Sequence, residues 1–507
     1  MTPETIYLVE ADAWDGGAVV TLRWASHGYT TGPAEAPANA YYAPRVQQPA
    51  LYRLAAWTAP DAPRSRPTAG EISLANPDGA LDFLSDFGMD GRRVRVLVGP
   101  RSGPYSAFAV IIDGTLLAPA WEGAVVALRL RDRQEQLDAP LRAVLYGGTN
   151  VAPAGVDGSA DLKDQPKPAL YGRALNVSPV LVNGSKLIYQ LHDGALAAVS
   201  AVYDRGAGLT AGAAYASQAD LEATAPAAGQ YRVWLAGGML RLGSAPAGQI
   251  TVDAVQGAGA ADRRPGALIA TLAARVGFGS VDTAALATLD AVAPYECGIV
   301  VDATETAAAA IDRVCLAAGA WWTIDTLGRL TAAQLAAPAG PAALELTAAE
   351  ITEISRASLG DGAGGLPVWR TTIGYARLAT VQAQDLAGVV SADRRARLAQ
   401  EYLSAAAADP AVQTAHPLAG ELRIDTPLLD AADAAAEAAR RQALHGARRD
   451  RVSVSVRLQP AVAAGVAIGQ CVRITDRRLG YGAGRLLRVI GIERDAALGR
   501  LALELWG

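Results

Sequence analysis

The side chains of this chain that could do covalent or metal chemistry are few and far apart. Its four histidines, His27, His192, His416 and His445, fall in no HExxH or similar spacing, so no helical face would offer two imidazoles to one ion. The three cysteines, Cys297, Cys315 and Cys471, form no CxxC pair and no even set. That favours buried thiols in a reducing compartment over a disulfide frame or a zinc site. Neither a GxSxG elbow nor a GxxxxGKS/T phosphate loop occurs. The glycine cluster at 360–365 (GDGAGG) reads as a flexible loop, because no strand leads into it and no helix leaves it.

Carboxylates are the remaining chemistry. A glycoside hydrolase needs one carboxyl held protonated beside one that stays ionised. Asp78 with Asp82, Glu345 with Glu350, and Glu350 with Glu353 supply the residue types, but such spacing is commonplace on any surface. Asn76, Asp78 and Asp82 match a fragment of a calcium loop without continuing it. The run NPDGA at 76–80 is better explained as a type I turn with Pro second and Gly fourth. The expectation is of no enzyme: no catalytic, cofactor-binding or metal-binding residue, and no cofactor.

Arginine is the main cation. Arg93 and Arg95, then Arg129, Arg131 and Arg133, alternate along strand-like segments, the last three opposite Leu128 and Leu130. Such a face is either solvated, an ion-pair face between subunits, or a lining met by passing DNA. The aromatic doublets Tyr41–Tyr42 and Trp321–Trp322 could stack on sugar rings if exposed; the plainer reading has Trp321 and Trp322 straddling a strand with one side in the core.

These groups must be positioned by 507 residues, enough for three or four domains, of which 51% are hydrophobic. A net charge of −5 argues against a wholesale basic nucleic-acid surface. No basic and then apolar leader follows Met1, and no run approaches the ~18 apolar residues of a membrane span. Folding in a cytoplasm and no membrane span are therefore expected.

Residues 1–145 alternate apolar and polar positions, as in AVVTLRW at 18–24 and RRVRVLVG at 92–99, which predicts a β-domain of sandwich or barrel type. Residues 146–260 read as a β-rich insertion, with Asn183-Gly184 as a hairpin turn. Residues 261–345 read as a small α/β domain. It has a helix over 265–276 that starts on Pro265, a helix over 304–318 capped by Asp302 or Thr304 and stopped by Gly319, and a hairpin turning at Leu327-Gly328. Residues 346–507 read as a second β-domain with one helix at 428–446, acidic at its start, basic at its end and closed by Gly446. The fold class is mainly β with α+β parts, multidomain.

Several stretches resemble the tail hub proteins of long-tailed phages and gene-transfer-agent particles. They are GEISLANPDGALD at 70–82, GRRVRVLVG at 91–99, FAVIIDGTL at 108–116, KPALYGRALNVSPVLVNGSKLIYQLHD at 167–193, PAGQITVDAVQG at 246–257, TIGYARLATVQAQDL at 372–386, and 472–507 closing on LALELWG. The resemblance implies two tail-tube-like β-domains per subunit and a homotrimer at the distal tail end. Three copies would then offer six similar domains to a hexameric tube. It also implies, as partners, a distal tail protein or tube ring, tip, fibre or central spike proteins, the tape measure protein, and transient contact with DNA. Some members bind an iron–sulfur cluster through grouped C-terminal cysteines; only Cys471 lies near that end here, so no cluster is expected. Two rival expectations are a carbohydrate-binding tail module and a peptidoglycan hydrolase of the tail tip.

Overall fold

The computed structural model describes residues 5–49, 51–55, 68–131, 133–325, 327–358, 367–457, 466–495 and 499–507. The chain is mainly β with α+β parts, and its strands fall into several separate sheets. The glycine cluster at 360–365 lies outside the described residues.

The first part supplies strands β1 (Thr5–Trp14), β2 (Val19–Ala25), β3 (Leu51–Ala55), β4 (Glu71–Ala75), β5 (Arg93–Pro100), β6 (Ala109–Leu116) and β7 (Val125–Arg131). All except β3 join a ten-stranded sheet in the order β2-β1-β5-β6-β7-β4, with short strands at its edges. Period-two patterning sends Val9, Ala11, Val94, Val96, Leu128 and Ile72 to one face, where they form a core. The other face receives Glu10, Asp12, Arg93, Arg95, Asp113 and Arg129.

The middle of the chain builds two five-stranded sheets with Leu170, Val202, Leu240 and Val252 between them. One contains β8 (Ala169–Val177), β9 (Ala198–Asp204), β10 (Ile250–Val255) and β11 (Gly298–Val301). Gly172 pairs with Gly298 across β8 and β11. A Cβ on Gly298 would lie 1.6 Å from the Arg173 carbonyl, so this seam closes only with glycine.

Three helices follow: α1 (Pro265–Arg275), α2 (Thr283–Val292) and α3 (Ala307–Ala318), then a hairpin of β12 (Ala320–Ile324) and β13 (Leu330–Gln334). α3 is capped by Thr306, whose hydroxyl accepts from Ala309 N at 3.2 Å, and not by the expected Asp302 or Thr304. Glu305 holds the Asp302 amide in a preceding turn at 3.1 Å, which delays the helix start. Gly319, at φ 55, ends it as expected. α2 had no counterpart in the sequence pattern, because only Leu286 and Leu289 of it are buried among Ala and Thr. Its Asp290 accepts from Gly266 N and Ala267 N at 2.6 and 3.1 Å, satisfying the first turn of α1.

The remainder provides β14 (Leu344–Thr347), β15 (Ile351–Ser358), β16 (Val368–Tyr375), α4 (Ala392–Leu398), β17 (Leu403–Ala408), β18 (Gly420–Asp425), α5 (Ala431–His445), β19 (Asp450–Arg457), β20 (Cys471–Asp476), β21 (Tyr481–Asp495) and β22 (Arg500–Trp506). An eight-stranded sheet runs β14-β20-β21-β22-β19-β15. β3 of the first part joins it by pairing antiparallel with β21, from Gly491↔Ala55 to Asp495↔Leu51. Between β15 and β19 the chain makes a three-stranded sheet, β17-β16-β18, on which α5 lies. Ala434 and Ala438 of α5 share a core with Leu268 of α1 and Ile311 of α3, while Leu444 clusters with Ile490 and Trp506.

One buried ion cluster fastens α5 in place. Glu437 is fully buried and accepts from Arg441 Nε at 2.6 Å and from Arg440 Nη2 at 2.7 Å. Arg440 Nη1 continues to the Leu335 carbonyl at 2.8 Å, and Arg441 to the Leu316 carbonyl. The last turn of α3 thus gains cationic donors where its carbonyls lack partners. Burial pushes the Glu437 carboxyl up, but the hydrogen bond from Arg440 and both guanidiniums outweigh it and hold it below the usual range. Glu437→Ala would leave Arg441 charged and buried, and denaturant unfolding should show a loss of about 3–5 kcal/mol.

His445 adds a pH dependence. Burial, then the charges of Arg441, Arg440 and Arg449, push its imidazole down to about 4. The unfolded chain takes up this proton near pH ~6.5, so the group's contribution is complete above that pH and falls as acid is added; roughly 3 kcal/mol is gone by about pH 4. Unfolding midpoints from neutral to acid pH should therefore fall less steeply in His445→Gln than in the unsubstituted chain.

Candidate functional site

The other face of the first sheet is divided: Ile6, Leu8, Leu97 and Phe108 pack there with Tyr42 into a small second core, and beside it runs a cross-strand ladder of charge. Arg23 of β2 stands opposite Glu10 of β1, Glu10 opposite Arg95 of β5, and Arg95 opposite Asp113 of β6. Further along, Arg129 of β7 faces Glu71 of β4. The sign alternates from strand to strand, which favours this register over a slipped one. Arg93 Nε donates to Asp113 at 2.9 Å, and Arg131 Nε to Glu135 at 2.6 Å. Glu10 is the buried node: its carboxylate accepts from Arg95, from Tyr42, and from Tyr105 at 2.8 Å. Burial, then the bond to Glu10, push the Tyr42 hydroxyl far above its ordinary range.

The expected row of Arg129, Arg131 and Arg133 is not one strand face. β7 ends at Arg131, and the chain winds into a 3-10 turn, Arg133–Asp138, that buries Leu137. Arg133 there donates to the Gly328 carbonyl at 3.2 Å.

The eight-stranded sheet carries a second ladder. Arg500 Nη2 donates to Glu493 at 2.8 Å, Arg53 of the inserted β3 lies 3.4 Å from Glu504, and Arg451 bonds the same Glu504. Arg53, Glu493, Arg500 and Glu504 line a shallow depression of about 250 Å³ together with Ala55, Ser453, Ser455, Gly491 and Ala502. The opposite face of the sheet is apolar, with Val452, Val454, Leu501 and Leu503 in its core.

The carboxylate pairs of the sequence do not come together as an acid and a base. Asp78 is gripped by both nitrogens of the Arg45 fork at 2.8 and 2.7 Å, which holds its carboxyl far below the usual range. Asp82 accepts from Asn76 at 2.8 Å. Bonds from the Thr347 hydroxyl and amide depress Glu350, and Glu345 lies 3.4 Å from Arg473. Glu353 sits apart, at the rim of the depression. Asp290 is among the carboxyls that burial raises, and its oxygens cap α1.

His192 and His445 are buried in different places, and burial pushes the Cys297 and Cys315 thiols up. Among the described residues no three His, Cys, Asp or Glu are grouped to hold a metal. Of the four aromatics considered for sugar stacking, Tyr42, Trp321 and Trp322 are buried and only Tyr41 is exposed. Trp322 Nε1 donates to Asp312 at 2.7 Å. Besides Tyr41, the exposed rings among the described residues are Trp14, Phe83 and Trp121, which sequence patterning did not single out. No described helix is long and apolar enough to cross a membrane.

No family model matches the chain, and no curated protein is similar to it in sequence. Among solved structures it is similar to the 43 kDa tail protein of prophage MuSo2 from Shewanella oneidensis, at TM-score 0.41 and 12% identity over 99% of this chain and 98% of that one. It is likewise similar to a tail protein from Neisseria meningitidis MC58, at TM-score 0.42 and 11% identity over 99% and 96%. A third likeness is to a chain of a native gene transfer agent virion, at TM-score 0.43 and 15% identity over 73% and 91%.

The two kinds of ladder contact differ in weight. Glu10→Ala strips three donors of a buried acceptor and should cost about 2–4 kcal/mol in denaturant unfolding. Glu504→Ala removes half-exposed pairs and should cost less than about 1 kcal/mol. Equal losses would show that the two faces are not built as described.

Proposed function

We propose that the chain is a structural, non-enzymatic protein of a phage-type tail, acting as a hub at its distal end. One observation supports this above the rest: a single chain holds two mainly β units, each with an apolar core on one sheet face and an ion ladder on the other, which in the first unit shares its face with a small second core. Three copies would present six such units to a hexameric tube ring, and a closed ring of repeated contacts leaves no free end. The sequence resemblance to tail hub proteins along most of the chain points the same way.

The ladders suit a channel that DNA must leave. A lining that grips phosphates with free arginines would hold DNA in a salt-dependent way. Here Arg93, Arg131, Arg451 and Arg500 are already bonded to carboxylates of their own chain, so the face is polar but largely self-neutralised. In this reading the hub adapts the tube to three-fold tip parts, helps to close or open the channel, and works beside a distal tail protein, spike or fibre proteins and the tape measure protein. A carbohydrate-binding role would have to use other rings than Trp321 and Trp322, and a wall hydrolase would need a carboxyl pair that Asp78 and Glu350 do not supply.

Antibody raised against the purified chain should label particles at the distal tip of the tail. Label spread along the tail, or none on particles, would remove the hub reading. Light scattering should give a mass near three times 52.2 kDa.

A further inference from the structure

We propose that the end of the first β unit bearing Trp14 and Phe83 docks onto the Val389 loop of a second copy of this chain. The inference rests on the homotrimer reading and names a contact for it.

The side chains sit at the same end of the first sheet. Trp14, at the end of β1, is 40% exposed, and its cross-strand partner Val19 is 55% exposed. The Trp14 backbone exchanges two hydrogen bonds with Gly88, at 2.8 and 2.9 Å. That brings the turn Asp82–Asp86 alongside, where the exposed Phe83 ring meets Phe87 edge-on at 5.1 Å. The Arg92 guanidinium lies over the Trp14 ring at 5.8 Å. Large exposed apolar side chains gathered in this way mark a contact surface. Around them stand Asp15, Asp86 and Asp90, all exposed and without an ion pair among the described residues, against the guanidinium of Arg92, whose Nε is spent on the Gly88 carbonyl. The partner that fits is apolar at its centre and cationic at its rim.

This chain carries such a surface elsewhere. Val389, 83% exposed, is the most exposed large apolar side chain among the described residues. Beneath it Leu378, Val390 and Leu398 form a small core that fixes the loop. Beside it, three arginines of α4 spend their donors on backbone carbonyls. Arg394 bonds Gly206 at 2.9 Å, Arg395 bonds Val390 at 3.0 Å, and Arg397 bonds Gln400 at 2.6 Å. A carbonyl fixes a guanidinium without cancelling its charge, so this rim stays cationic. Of the nearby acids, Asp385 is already paired with Arg205 at 2.8 Å, and the exposed Asp393 of α4 offsets only one of the three guanidiniums. Because the two mating surfaces differ, the contact runs head to tail from copy to copy and terminates only by closing a ring.

The test uses the full chain in a concentration series followed by sedimentation velocity. Asp86→Arg with Asp90→Arg, and separately Val389→Asp, should each weaken self-association by at least about tenfold. All of these positions are exposed, and circular dichroism with thermal unfolding should show an unchanged fold. Unchanged association in either variant, or a wild-type chain that stays monomeric, would overturn the contact. The hub reading is judged separately by where the antibody label falls on particles, so the two can fail independently.

Discussion

The arrangement depends on one short strand pairing. β20 covers only the first half of β21, pairing from Asp476↔Tyr481 to Cys471↔Arg488. The second half, Gly491 to Asp495, would be an open edge if β3 did not fill it. An unpaired edge in a sheet of this size invites association with any free strand. The strand that fills it comes from near the other end of the chain and stays anchored there, since Leu54 is buried in the core of the first sheet. Pulling β3 away would open the second sheet and expose the first core together. Chain entropy resists bringing such distant segments together, but that cost grows only logarithmically with loop length. The modules between have their own cores and have already shortened the loop.

Around this seam the protein uses arginine in two ways. On the sheet faces, guanidiniums pair with carboxylates across strands, where each exposed pair contributes little energy but selects register. At element ends, they donate to backbone carbonyls: Arg440 and Arg441 at the last turn of α3, Arg142 at the carbonyls of Lys167 and Pro166. A planar fork with five donors suits both tasks, and a lysine ammonium would satisfy neither bidentate carboxylates nor two carbonyls at once. The first use neutralises charge and the second leaves it standing. That difference makes the ladder faces bland and the α4 loop basic.

Strands with period-two patterning were legible because alternation survives without knowledge of neighbours. The run at 92–99 became Arg93–Pro100, and the one at 18–24 became Val19–Ala25. Helices with a strong stop were legible as well, α3 above all, because Gly319 adopts the left-handed conformation that ends it. Alanine hid the rest. LSAAAA of β17 has no apolar alternation to find, and α2 offers only two leucines to its core. The Trp321–Trp322 doublet straddles its strand as read, but with both sides buried where one was expected to be. Its hairpin lies between two cores, so Trp322 fills one and Trp321 the other, and neither ring is left outside. Pairing of β3 with β21 had no local signature at all, since LYRLA looks the same whichever sheet receives it.

What remains exposed indicates how such a molecule meets others. β15 pairs only with β19 among the described strands, so its far side is a free edge eight residues long. Thr352, Glu353, Ser355 and Arg356 keep that strand polar, and Thr352 donates to the Ser455 carbonyl on its paired side. Charges on an edge oppose pairing with an arbitrary strand while leaving pairing with a matched one open. The Trp14 patch follows a different logic, with apolar area at its centre and uncancelled charge at its margin. Apolar burial supplies affinity there, and the charged rim fixes which partner fits and in which orientation. Closing any ring takes directional contacts of that second kind, because an edge alone sets neither the angle between copies nor their number.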